Sequence, residues 1–86
     1  MLNVQAGLMW TGEDWVLVVT RQFGDLLTMS HSPAINDVEV RALRGAAQVG
    51  LPQLREALGE EVRLWLMACT EEEQERVRGA LYSAPI

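Results

Sequence analysis

The sequence predicts the α+β class: an antiparallel four-stranded sheet, in the chain order β-β-β-α-α-β-α, with helices packed on one face. Three observations carry this expectation. Apolar residues alternate with period two from Leu2 to His31, the period becomes helical after Ser32-Pro33, and a second alternating run from Val62 to Cys69 precedes an acidic helix start.

The first strand is expected over residues 2–10, where Leu2, Val4, Ala6, Leu8 and Trp10 alternate with Asn3, Gln5, Gly7 and Met9. Thr11-Gly12-Glu13-Asp14 reads as a four-residue hairpin loop, which sets Trp10 opposite Trp15, Leu8 opposite Leu17 and Ala6 opposite Val19 on one face. The second strand then covers residues 15–21. Gln22-Phe23-Gly24 reads as a three-residue loop whose glycine takes the left-handed conformation. That loop pairs Arg21 with Asp25, Val19 with Leu27, Leu17 with Met29 and Trp15 with His31. It extends the apolar face over a third strand at 25–31, whereas a two- or four-residue loop puts Thr28 and Ser30 there.

Asn36 followed by Glu39 predicts the start of a helix over 36–48, with Val40, Leu43 and Ala47 on its apolar stripe and Gly50 as its stop. Pro52 suits the first turn of a short second helix with Leu51, Leu54 and Leu58 on one stripe and Gly59 at its exit. Val62, Leu64, Leu66 and Ala68 alternate with Arg63, Trp65, Met67 and Cys69, which reads as a fourth, internal strand. Thr70 with Glu73 forms a capping box, and Glu71, Glu72, Glu73 and Glu75 complement the positive end of a third helix. That helix buries Val77, Ala80 and Leu81 and runs to about Tyr82, with Pro85 as the stop.

At 86 residues the chain is expected to be a single domain, since two cores would each fall near the roughly 40-residue size that needs disulfides, metals or partners. Hydrophobic residues at 49% and charged residues at 22% place it among folded chains rather than disordered ones. The net charge of −5 opposes binding to nucleic acid or to an anionic membrane over most of the surface. All seven basic residues are Arg, and Ile, Asn, Phe and Tyr are scarce, a bias expected of a GC-rich bacterial genome. The absence of Lys excludes a Schiff-base lysine and a P-loop lysine. One cysteine makes no internal disulfide and no thiolate zinc site. Residues 1–9 lack a positive leader segment, and the longest apolar runs, 15–19 and 64–69, are too short to span a bilayer, so a cytoplasmic location is expected.

Few residues suggest chemistry. His31 is the single histidine and a candidate acid, base or ligand, but its place at a strand end also suits a solvated ring. Cys69 before a helix start could pair with it as a nucleophile, against the plainer role of a small buried hydrophobe. Arg41 with Arg44 on one helix face are candidate anion ligands whose plainer role is solvated charge, and Arg21 is a ligand-binding candidate at the strand ends with His31. The acidic groups at Glu60-Glu61 and 71–75 read as helix termini and not as a cation site, and no glycine-rich phosphate loop is present. No cofactor and no metal are expected.

The most informative feature is the second face of the sheet. Met9, Val16, Val18 and Leu26 lie opposite the expected core face, and the fourth strand adds Trp65 and Met67, or else Leu64 and Leu66, to the same side. Such an apolar face marks a partner surface. The expectation is therefore a small interaction or regulatory module, homodimeric sheet to sheet through this face or by pairing of an edge strand, with a further protein partner compatible with it and with no catalysis. Two alternatives stand beside it: a ligand-binding or minor enzymatic domain with a site around His31, and an acidic, antitoxin-like inhibitor that docks on a basic protein.

Overall fold

A computed structural model describes residues 1–84. Three strands, β1 (Leu2–Trp10), β2 (Trp15–Phe23) and β3 (Leu26–His31), form one antiparallel sheet in the order β1-β2-β3. Four helices follow: α1 (Asp37–Val49), α2 (Leu51–Ala57), α3 (Glu60–Met67) and α4 (Glu71–Tyr82). The class is α+β, but the sheet has three strands and not four.

The first hairpin has the expected register, with Trp10 opposite Trp15, Leu8 opposite Leu17 and Ala6 opposite Val19. The Thr11 hydroxyl closes the loop by donating to the Asp14 carbonyl at 3.0 Å and accepting from the Asp14 amide at 3.0 Å. Trp10 and Trp15 meet edge to face, with ring centroids 5.1 Å apart.

The second hairpin differs from the expectation. Phe23 pairs with Leu26, so the loop is Gly24-Asp25 alone, with Gly24 at φ +60° in the first loop position that a type II′ turn reserves for glycine. Arg21 then faces Thr28 and Val19 faces Ser30, while Leu27 and Met29 turn to the other side of the sheet and His31 lies opposite Val18. Two interactions favour this register. Ser30 Oγ accepts the indole N–H of Trp65 at 3.0 Å, and Ser32 takes the next rung against Leu17. At that rung the Ser32 amide donates to the Leu17 carbonyl at 2.8 Å, and Ser32 Oγ accepts from the Leu17 amide at 2.9 Å. One extra residue around Pro33, which has no N–H, makes a bulge before Ile35 pairs with Trp15 on both sides.

Residues 60–67, expected as the fourth strand, form helix α3. Val62, Leu66 and Cys69 are buried and recur at helical spacing, whereas Leu64 and Met67 are exposed. From Leu64 to Cys69 every position is apolar, so that stretch matches both period two and period 3.6. The Glu, Arg, Leu and Met content of residues 60–67, with Val62 the single β-branched residue, favours the helix.

The other helices begin and end where the local signals place them. Asn36 caps α1 by accepting from the Glu39 amide at 2.8 Å, Pro52 opens α2, and Thr70 with Glu73 forms both bonds of a capping box on α4. The stop at Pro85 lies outside the described residues. Helix α4 rests on β1 and β2, and α1 and α2 pack on α4. The core between them holds Val4, Leu17, Val19, Ile35, Val40, Leu43, Leu54, Leu66, Val77 and Leu81. Burying each of these aliphatic side chains contributes roughly 1.5–3 kcal/mol before conformational entropy is counted. Arg78 ties the helices together, its guanidinium donating to the Ala47 carbonyl near the end of α1 at 2.7 Å and to Glu75 Oε1 at 2.7 Å.

Candidate functional site

Strand alternation gives the sheet two unlike faces. The helix-covered face carries Val4, Leu17 and Val19 and then turns polar at Arg21, Thr28 and Ser30. The guanidinium of Arg21 forms a two-pronged pair with Glu73, through Nε to Oε2 and through Nη2 to Oε1 at 3.0 Å. Glu73 is only 3% exposed, and its Oε1 also accepts the Thr70 amide at 2.9 Å. The Arg21 hydrogen bonds hold the Glu73 carboxyl below the usual carboxylate range, against the opposing effect of burial. Arg21 is the sole charged residue in the three strands, and its partner comes from a helix cap. A lone charge in an apolar strand signals a buried counter-ion, but sequence alone does not say which of the twelve carboxylates supplies it.

Cys69 lies under this pair, buried, with its thiol directed at the Trp65 carbonyl 3.6 Å away. Burial and then the nearby Glu73 charge push the thiol pKa up, and Arg21 only partly offsets them. A raised pKa is the reverse of what a nucleophilic thiol needs. His31 is exposed on the opposite face of the sheet, so the structure does not bring Cys69 and His31 together. Arg41 is exposed and pairs with Asp37 at 3.2 Å within α1, while Arg44 is half-buried on the same helix. Asp37 also accepts the indole N–H of Trp15 at 2.9 Å, which anchors the start of α1 to the start of β2. Arg21 therefore sits on the helix side of the sheet, His31 on the other, and Arg41 and Arg44 on a helix away from both. Among the described residues no group of three or more His, Cys, Asp or Glu is placed to hold a metal ion.

The outer face of the sheet has a different character. Met9, Val16 and Val18 lie on it, and the register adds Leu27, Met29 and His31. Met9 is 50% exposed, Leu27 60% and Met29 63%, whereas Val16 is buried yet stands apart from the helix-side core. The remaining positions are Asn3, Gln5, Gly7, Thr20 and Gln22, so no Asp, Glu or Arg faces this way. All twelve carboxylates fall in turns and helices. Three residues expected on this face are elsewhere. Leu26 pairs with Phe23 and so points to the helix side at the sheet margin, Trp65 packs half-buried against the core, and Met67 is exposed on α3. Leu27 and Met29 were missed because the three-residue loop placed them in the core.

Two further surface features lie outside this face, save for Gln5, which the first shares with it. An open groove runs between β1 and α4, lined by Gln5 and Ala6 on the strand and by Glu75, Arg76, Gly79, Ala80 and Ser83 on the helix side. A second depression near α2 and α3 is lined by Arg55, Leu58, Arg63 and Met67. Arg55 itself is engaged, donating to Gln74 Oε1 at 2.8 and 2.9 Å, while Gln74 donates to the Cys69 carbonyl at 3.1 Å.

Fold and surface together define a small α+β domain whose three-stranded sheet is covered by helices on one side and presents on the other a face, part apolar and part polar, without Asp, Glu or Arg. No protein-family model, curated protein or solved structure matches the chain. Among the described residues no helix is long and apolar enough to cross a membrane.

Proposed function

We propose that this chain is a protein-interaction module that works as a homodimer, with the outer sheet face of one copy seated on that of a second. The observation that carries this reading is the segregation of charge. A chain of net charge −5 keeps every carboxylate off a face on which Met9, Leu27 and Met29 are at least half exposed. A second copy is the occupant such a face suits. Two equally acidic molecules repel through most of their surfaces, but they meet here without opposing carboxylates, and a twofold axis satisfies both copies with one patch. The side chains available are five apolar ones, amides, one hydroxyl and the His31 ring, and the apolar group at Met9, Val16, Val18, Leu27 and Met29 supports the reading of an interface core.

Sedimentation equilibrium tests the reading. The wild-type chain is expected to be dimeric, and Leu27→Glu with Met29→Glu, both at exposed positions, is expected to yield a folded monomer. A wild-type monomer across the micromolar range, or a dimer indifferent to the two glutamates, overturns it.

A further inference from the structure

The free edge of β1 raises a separate question. Each strand residue sends its N–H and C=O to one side of the strand, and Trp15 spends both on Ile35, away from β1. The rungs between β1 and β2 that carry hydrogen bonds therefore begin at Met9 and Val16, and the backbone groups of Val4, Ala6 and Leu8 point outward from the sheet. Among the described residues β1 has no strand neighbour other than β2, and no side chain bonds to these outward groups. Edges of this length are ordinarily blunted by charge, proline or a bulge, and β1 has none of these.

Alongside that edge runs the groove under α4, of about 590 Å³, within the size range of ligand sites. Gly79 forms part of its wall in the interior of α4, where glycine costs about 1 kcal/mol relative to alanine. Nothing in the fold requires it. Its φ is not positive, and a Cβ added there meets no atom within 4 Å. Gly79 and Ala80 thus leave room beside an unpaired strand edge. Two charged residues stand at the same wall: Glu75, which is paired with Arg78, and Arg76, exposed and without an ion pair among the described residues.

We propose that this groove is a binding site for an extended peptide segment of a partner protein, which adds to β1 as a fourth strand. Outward N–H and C=O groups at every second residue are matched by another extended backbone, which has the same repeat. The space at Gly79 and Ala80 receives a side chain of the incoming segment, and Arg76 selects a carboxylate on it. The site shares only Gln5 with the outer face and lies along the β1 edge, away from Leu27 and Met29, and it stands whether or not that face dimerises.

The probe is a displayed library of random nine-residue peptides, panned on the wild-type protein. The enriched peptides are then titrated into the isotope-labelled chain. Enrichment of extended sequences bearing an acidic residue is expected, with chemical-shift changes at the amides of Val4, Ala6 and Leu8. Gly79→Leu fills the groove without touching the core, and Ala6→Pro removes an outward N–H that the monomer does not use. Each is expected to keep the fold, by circular dichroism, and to weaken binding by about tenfold or more. Leu27→Glu with Met29→Glu is expected to leave peptide binding unchanged, which separates this site from the dimer face. The proposal is overturned by a failure to enrich, by peptides that bind both groove variants as tightly as wild type, or by shifts confined to the outer face. It is also overturned if the wild-type chain is a dimer that Ala6→Pro dissociates, since the occupant of the edge is then a second copy.

Discussion

Arg21 on β2 and Glu73 at the first turn of α4 form a two-pronged ion pair that joins sheet to helix, and the same carboxylate closes the α4 capping box. One side chain thus fixes both the start of the helix and its seat on the strand. Glu73→Gln keeps a capping amide but leaves the Arg21 charge without its counter-ion. Because Arg21 is partly exposed, the expected loss is about 2–3 kcal/mol, somewhat below the 3–5 kcal/mol of a fully buried pair. Urea denaturation measures it, and Arg21→Met combined with Glu73→Gln is expected to recover part of the loss.

The same pair sets the acid limb of stability. Arg21 lowers the folded pKa of Glu73, so its contribution is complete above the unfolded carboxylate value of about 4.3 and is lost as pH falls through the folded value. Arg78 lowers Glu75 in the same direction, but at an exposed site where the effect is small. Denaturation midpoints measured downward from neutral pH are expected to fall below about pH 4.3, and less steeply in Glu73→Gln. Equal slopes in the two proteins contradict the assignment.

Cys69 is expected to be unreactive while the fold is intact. Burial raises its thiol pKa and also shields it from reagents. Reaction with a thiol-specific disulfide reagent at neutral pH is expected to be slow in the native protein and rapid in denaturant, and fast native labelling contradicts the placement.

Helix α3 separates Leu64 from Leu66, which a strand would place on one face. Leu66 is fully buried and Leu64 is exposed. Leu66→Ala is expected to destabilise by about 2–5 kcal/mol, and Leu64→Ala by no more than about 0.5 kcal/mol. Comparable losses at both sites contradict a helix there.

The second hairpin is tested at its turn. Gly24 is at φ +60°, so Gly24→Ala is expected to destabilise by about 1 kcal/mol by thermal melting. Ser30→Ala removes the acceptor of the Trp65 indole and is expected to lower stability by roughly 1 kcal/mol. With the three-residue loop, Ser30 would face the other way and its removal would be neutral.

Wherever a signal is local, the sequence determined the outcome. The first hairpin closes through Thr11 and Asp14, residues within its own loop. Asn36, Pro52 and the Thr70–Glu73 box act on amides or turns a few residues away, and the stripes of α1, α2 and α4 follow from one period. The existence of an apolar outer face was also legible, since Met9, Val16 and Val18 alternate within the first hairpin. Tertiary structure decided what local energies leave nearly balanced. Residues 64–69 satisfy both periods, and residues 60–67 become a helix when they pack through Val62 and Leu66. The two readings of the Gly24 turn are each acceptable locally, and distant partners choose between them: Trp65 bonds Ser30, and Leu17 bonds Ser32. That choice moved Leu27 and Met29 to the outer face, while the packing of α4 on the sheet gave Arg21 its partner and set Gly79 beside the edge of β1. Contacts between residues far apart in sequence carry no local signature, and they form only when the whole chain is in place.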